Sequence, residues 1–160
     1  MKIELKNIKH MESMSQETNC YSASLYVDGK KIGEVSNEGH GGPDMFYGDR
    51  AAFAKAEAWV KENKPPLECS FGGDPLPMDL ELLCGELLTD WLVSKDLRSA
   101  MRSKVIFTRP GEDGVFELKW KGVRKIDDRH IAAVRNKYPK ATVLNALPFE
   151  EALAIYRANG

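Results

Sequence analysis

The strongest structural pattern in this chain of 160 residues is the segment 20–36, CYSASLYVDGKKIGEVS. Apolar and polar side chains alternate over 20–27, with Tyr21 and Leu25 on the apolar face, as in a strand that covers a core. Asp28-Gly29 then supplies the residue types that tolerate the positive φ angles of a tight turn. Residues 31–36 return as the partner strand, so the segment predicts an antiparallel hairpin.

Further strands extend this pattern on both sides. Residues 2–9 place Ile3 and Leu5 on one alternating face, which predicts a strand and completes an N-terminal three-stranded antiparallel meander. Later in the chain, 104–109 and 115–120 flank a Pro/Gly-rich turn and predict a second hairpin.

Helical patterns fill most of the remaining chain. Asp49 is placed to cap a helix over 50–63, and Asp79 precedes the most regular helical stripe. The apolar residues of that stripe are Leu80, Leu83, Cys84, Leu87, Leu88, Trp91 and Leu92. We expect Leu83, Leu87 and Trp91 to be buried. Shorter helices are predicted over 95–103, from Asp127 or Asp128 to Tyr138, and over 148–157.

Together these elements predict an α+β fold, with a three-stranded meander and a second hairpin packed with about four to five helices. A length of 160 residues favours a single domain over 1–160. The four prolines of 64–78 predict an irregular connection between the first two helices.

Composition narrows the class of protein. The chain is 42% hydrophobic, enough for a core, and no stretch approaches the 18 apolar residues that predict a membrane span. Three widely spaced cysteines without a Cys-x-x-Cys motif are typical of reduced thiols. We therefore expect a cytoplasmic protein that does not enter a membrane.

Charge is distributed unevenly along the chain. Residues 1–94 hold 9 Lys and Arg against 16 Asp and Glu, whereas 95–140 hold 13 against 6. A basic segment of this kind favours a polyanionic or acidic partner, unless folding mixes the charges of the two halves.

The glycine-rich segment 37–49, NEGHGGPDMFYGD, is the first candidate site. It holds residue types that serve in recognition: His40, Asp44, Phe46 and Tyr47. His40 with Asp44 would suit a small enzyme or a metal site, but no complete catalytic, nucleotide or metal motif surrounds them. We therefore favour a structural or partner-binding segment, and no cofactor is expected.

The second candidate site is the basic run around Lys121 and Arg124. Trp120 lies between cations there, as in surfaces that contact nucleic acid. The alternative is that Trp120 shares a strand face with Phe116 and Leu118 and belongs to the core, which leaves the lysines as ordinary solvated residues. No helix-turn-helix, zinc-finger or RNA-recognition motif accompanies this run.

Three short segments carry a resemblance to a group of proteins. They are 2–10 (KIELKNIKH), 35–42 (VSNEGHGG) and 144–149 (LNALPF). The chain resembles small uncharacterised proteins encoded by bacteriophages and mobile elements of bacteria. The resemblance implies an accessory protein that binds a host protein or nucleoprotein complex, for example to inhibit a defence system, and it assigns no catalytic residues.

Overall fold

The computed structural model describes all 160 residues, which form two compact units, 1–90 and 91–160. The strands of the first unit form one antiparallel sheet in the order β1-β2-β3-β4. Its elements are β1 (Ile3–His10), β2 (Cys20–Val27), β3 (Lys30–Glu38), β4 (Met45–Gly48), α1 (Arg50–Asn63) and the first eleven residues of α2 (Leu80–Ser103). The predicted α+β class and antiparallel meander are confirmed.

The meander has four strands rather than the predicted three. Strand β4 lies inside the glycine-rich segment 37–49, for which no strand was predicted, and it pairs with β3 from Gly33↔Gly48 to Ser36↔Met45. Its Phe46 ring packs edge-on against Phe53 of α1, with 5.6 Å between the ring centroids. Four residues among glycines are too few to show a period of two, so the sequence pattern could not reveal this strand.

Both helices of the first unit begin as predicted. The Asp49 carboxylate accepts hydrogen bonds from the N–H groups of Ala51 and Ala52, each at 3.0 Å. Asp79 Oδ1 accepts from Leu82 N–H at 2.8 Å. These carboxylates satisfy N–H groups that have no partner within the first helical turn.

Helix α2 runs without a break to Ser103, so the separate helix predicted over 95–103 does not exist. No proline or glycine between 86 and 103 interrupts the hydrogen bonding of the helix. Leu83 is buried as predicted, whereas Leu87 and Trp91 are only half-buried and Leu88 is buried instead. Leu80, Cys84 and Leu88, all buried, follow a spacing of four residues. None of the helices combines the length and hydrophobicity needed to cross a bilayer.

The connection over 64–78 is irregular, as predicted, but it holds one ordered feature. Leu67 and Leu76 form an isolated antiparallel bridge, with N···O distances of 2.8 and 3.0 Å. Phe71 lies at the tip of this small hairpin and is fully exposed. We call residues 67–76 the exposed hairpin.

The second unit has a three-stranded antiparallel sheet in the order β6-β5-β7. Its elements are the rest of α2, β5 (Lys104–Thr108), β6 (Phe116–Lys119), α3 (Asp128–Lys137), β7 (Thr142–Val143) and α4 (Phe149–Asn159). The central strand is buried on both faces: Ile106 belongs to one apolar cluster, and Val105 and Phe107 to another. Asp127 caps α3, as predicted.

Candidate functional site

An open groove of about 650 Å³ lies in the first unit. One wall comes from β2, β3 and the glycine-rich segment, and the other from residues 81–90 of α2. The lining residues are Thr18, Asn19, Tyr21, Asn37, Gly42, Asp44, Leu67, Glu81, Leu82, Gly85, Glu86, Leu88, Thr89 and Asp90. A concave surface of this size is large enough for a small molecule or a short stretch of a partner chain.

The lining of the groove combines acidic and apolar side chains. Its carboxylates are Asp44, Glu81, Glu86 and Asp90, and no Lys, Arg or His belongs to the lining. Three leucines contribute apolar surface between the carboxylates. A cleft lined by one sign of charge concentrates ligands of the opposite sign, so this groove favours a cationic ligand that also has apolar atoms.

Asn37 holds the glycine-rich segment in place on the sheet wall. Its Oδ1 accepts hydrogen bonds from Thr18 Oγ1 at 2.7 Å and from Gly39 N–H at 2.8 Å. Its Nδ2 donates to Gly42 O at 2.9 Å and to Asp44 Oδ1 at 3.0 Å. Asn37 is almost fully buried and uses its donor and acceptor groups on these partners, so the shape of the segment depends on this side chain.

Gly39 and Gly41 give the segment its turn. Their φ angles are +86° and +88°, in a region that residues with a side chain rarely adopt. The Gly39 carbonyl also accepts hydrogen bonds from the N–H groups of Gln16 and Glu17, at 3.0 and 3.1 Å. The loop that precedes β2 is thereby attached to the glycine-rich segment.

Asp44 connects the two walls of the groove. Its carboxylate accepts hydrogen bonds from the Tyr21 hydroxyl and from Asn37, and its own N–H donates to Glu81 Oε1 at 2.9 Å. The Asp44 carboxylate is therefore fixed in orientation before any ligand arrives. Such preorganisation reduces the entropy lost on binding.

The groups behind Asp44 are held in their neutral forms. Burial, reinforced by the hydrogen bond to Asp44 and by its charge, raises the pKa of Tyr21 far above the ordinary tyrosine value. Burial, followed by the nearby charges of Asp44 and Glu81, raises the pKa of the Cys84 thiol to about 12. At neutral pH the charge next to the groove is thus carried by the carboxylates, and Cys84 is an unreactive thiol.

Gly85 forms part of the helical wall and has no structural reason to be a glycine. It lies inside α2, and a Cβ atom added there would meet no atom within 4 Å. Glycine inside a helix is less stable than alanine by roughly 0.5–1 kcal/mol. The missing side chain therefore widens the groove without relieving any contact within the fold.

The predicted residues of the glycine-rich segment lie in different environments. His40 is exposed, does not line the groove, and meets only Gln16 Oε1, at 3.4 Å. Asp44 lines the groove, Phe46 is half-buried against α1, and Tyr47 is 61% exposed on the edge strand β4. The side chains of His40 and Asp44 therefore do not meet in this groove.

The basic run of the second unit is on the surface, apart from its aromatic residue. Lys121 and Arg124 are exposed in the turn after β6. Trp120 is half-buried against an apolar cluster, and its ring lies 4.7 Å from that of His130, measured between centroids. No group of three or more His, Cys, Asp or Glu side chains is placed to hold a metal ion.

Sequence reasoning missed the helical wall of the groove. Glu81 and Glu86 look like ordinary solvated residues of an amphipathic helix, and the one available signal was Gly85 inside an otherwise strong helical pattern. The role of Asn37 was not predicted either, because it depends on Thr18 and Asp44. Comparisons with protein-family models, with curated proteins and with solved structures found no match to this chain.

Proposed function

We propose that this protein acts by binding a partner protein, and that the groove of the first unit receives a basic segment of that partner. The observation that carries the proposal is Gly85. It sits in the wall of an acidic groove, where the fold has room for a side chain and would gain stability from one. An open helix surface at this position serves an incoming ligand.

The chemistry of the lining specifies the segment. Leu82, Gly85, Glu86 and Thr89 lie on one face of α2, at the spacing of i, i+3, i+4 and i+7. From Glu81 to Asp90 the helix rises about 14 Å, the length of about four extended residues. Lys or Arg side chains in such a segment would meet the carboxylates, while an apolar side chain would cover Leu82.

Exposed apolar side chains around the first unit support a protein partner. The large hydrophobic residues exposed in this protein are Met1, Met11, Met14, Met45, Tyr47, Leu67, Phe71 and Leu76, and all of them belong to residues 1–90. Leu67 also lines the groove, so the exposed hairpin continues its apolar surface. Aromatic and Met residues of this kind are enriched where proteins bind each other.

The resemblance to phage and mobile-element proteins supplies the setting of the proposal. An accessory protein from that setting acts on the host cell, so the expected partner is a host protein or a nucleoprotein complex. A host defence system is one target that fits. The resemblance alone supports this part of the proposal.

Two substitutions at Gly85 test the function. Gly85→Phe fills the groove, while Gly85→Ala adds only a methyl group and serves as the matched control. Wild type and both variants are used as baits in a bacterial lysate, and the bound segment is mapped by crosslinking. We expect a partner that wild type and Gly85→Ala retain and Gly85→Phe loses, and the crosslinked segment should be rich in Lys and Arg.

A synthetic peptide of the mapped segment then gives the affinity. Glu86→Gln should weaken the binding of this peptide, and higher salt should weaken the binding further. Equal capture by Gly85→Phe and wild type, or an acidic crosslinked segment, would refute the proposal. His40→Ala is a second control, since its side chain does not line the groove and its loss should leave the affinity unchanged.

A further inference from the structure

We infer that the second unit carries a nucleic-acid-binding surface. Cations from three parts of the chain form this surface and contact the phosphate backbone of a duplex. This inference concerns residues 91–160 and does not depend on the groove. The unit holds 14 Lys and Arg against 8 Asp and Glu, a net charge of +6.

Half of these cations are available to a ligand. Lys104, Arg109 and Arg129 form ion pairs with carboxylates of the same unit, at distances of 2.7, 2.7 and 2.8 Å. Seven others are exposed and have neither an ion-pair partner nor an aromatic ring beside them: Arg102, Lys119, Lys121, Arg124, Lys125, Arg135 and Lys140. Unpaired surface cations bind phosphate without first breaking an internal contact.

The fold brings together cations that are distant in sequence. The N–H of Ile126 donates to the Arg102 carbonyl at 2.9 Å, which attaches the basic turn to the end of α2. Arg102 and Lys125 consequently line the same depression, of about 240 Å³. Arg135 of α3 lines a neighbouring depression that shares residues with the first.

We call Arg102, Lys119, Lys121, Arg124, Lys125 and Arg135 the basic surface. Two carboxylates line the depressions that hold part of this surface. Asp127 is neutralised by its ion pair with Arg129, whereas Asp128 lines both depressions. The turn 119–125 itself contains four cations and no carboxylate.

The surface of the second unit favours phosphates over a protein partner. None of the large exposed hydrophobic residues of this protein lies in 91–160. Protein interfaces need apolar anchors, whereas contacts to a phosphate backbone need only cations and polar groups.

The position of Trp120 favours a duplex over a single strand. Proteins that bind single strands stack bases on exposed aromatic rings. Trp120 is half-buried against an apolar cluster, with the His130 ring beside it, so it is not an exposed ring of that kind. Cations without an exposed aromatic ring can contact the regularly spaced phosphates of a double helix. Binding of this kind should not depend on the base sequence.

The test uses the full-length protein and a fluorescent DNA duplex of about 20 base pairs. Anisotropy measured between about 50 and 200 mM KCl gives the affinity and its dependence on salt. The wild type should bind with a steep negative slope of log affinity against log salt. Lys121→Gln with Arg124→Gln removes two phosphate contacts and should reduce that slope by about 1.8.

A matched control removes the same charge elsewhere. Lys9→Gln with Lys30→Gln neutralises two exposed lysines of the first unit and should leave the slope unchanged. Arg102→Gln with Lys125→Gln is a second test pair, for use if the first variant melts at a lower temperature than the wild type. The single strand of the same sequence should bind more weakly than the duplex.

Three results would overturn the inference. The first is the absence of duplex binding at about 50 mM KCl, and the second is an equal loss of slope in the control variant. The third is binding to phosphatidylserine vesicles without binding to the duplex, which would assign the basic surface to a lipid membrane.

Discussion

Replacing Tyr21 with Phe tests the hydrogen-bond network that fixes the groove. The substitution keeps the buried ring and removes only the hydroxyl that donates to Asp44. Asp44 retains the hydrogen bond from Asn37, so one acceptor position of a partly buried carboxylate loses its donor. Hydrogen bonds to charged groups contribute about 1.5–3 kcal/mol, and we expect the free energy of unfolding at pH 7 to fall by that amount.

The same substitution should alter stability at alkaline pH. The pKa of Tyr21 is raised in the folded protein, mainly by burial, while in the unfolded chain it is near 10. Its contribution to stability is therefore complete below pH 10 and is lost as the pH rises further. The loss approaches about 1.4 kcal/mol for each pH unit.

Cys84 also lowers the stability of the fold as the pH rises, over a lower pH range than Tyr21. Its pKa of about 12 in the fold exceeds the ordinary thiol value, so its contribution falls as the pH rises from about 9. Tyr21→Phe keeps the dependence due to Cys84 and lacks the one due to Tyr21. The difference between wild type and variant should therefore shrink above pH 10.

Two measurements check this reasoning. Urea unfolding at several pH values from 7 to about 11 gives the free energies. The absorbance of the tyrosinate ion reports whether Tyr21 titrates in the folded state. If Tyr21 stays protonated, wild type and variant give the same tyrosinate signal near pH 10. The chain has five tyrosines, so normal ionisation of Tyr21 would make the tyrosinate signal of the variant smaller by one fifth. That result would refute the argument.

Three further substitutions test the packing of the first unit and the hydrogen bonds of the second. Leu88→Ala should lower the free energy of unfolding by about 2–5 kcal/mol in urea titrations, and Leu87→Ala by clearly less, because Leu88 is buried and Leu87 is half-buried. A larger loss of stability for Leu87→Ala than for Leu88→Ala would contradict the assignment of Leu88 to the buried face of α2. Asn145→Ala removes the side chain that bonds two carbonyl groups and the Ile106 N–H. The free energy of unfolding should fall by about 1–3 kcal/mol for each of these groups that water does not reach. Calorimetry that finds Asn145→Ala as stable as wild type would contradict this role.

Elements that depend on neighbouring residues were predictable from the sequence. The helix caps at Asp49, Asp79 and Asp127 follow from a short polar residue before an apolar stripe. The turn at Asp28-Gly29 follows from two residues that accept positive φ angles, and both do so here. The physical causes of these features act within one helical turn or one hairpin.

Features that depend on distant partners were not predictable. Strand β4 exists because β3 offers a free edge and Phe53 packs on Phe46, and neither condition is visible in residues 45–48. The acidic wall of the groove needs α2 to lie beside the glycine-rich segment, a contact made through Glu81 and Asp44. Of the predicted site residues, Asp44 is the one that the groove contains.

The distribution of surface chemistry gives the proposals two independent tests. Exposed apolar residues and the acidic groove belong to 1–90, while 91–160 carry unpaired cations and none of the large exposed hydrophobic residues. Filling the groove at Gly85 should therefore leave the salt dependence of duplex binding unchanged. Neutralising Lys121 and Arg124 should likewise leave the capture of a partner that carries no nucleic acid unchanged. A complex of a basic protein with nucleic acid offers both chemistries, so a target of that kind should lose affinity in both variants.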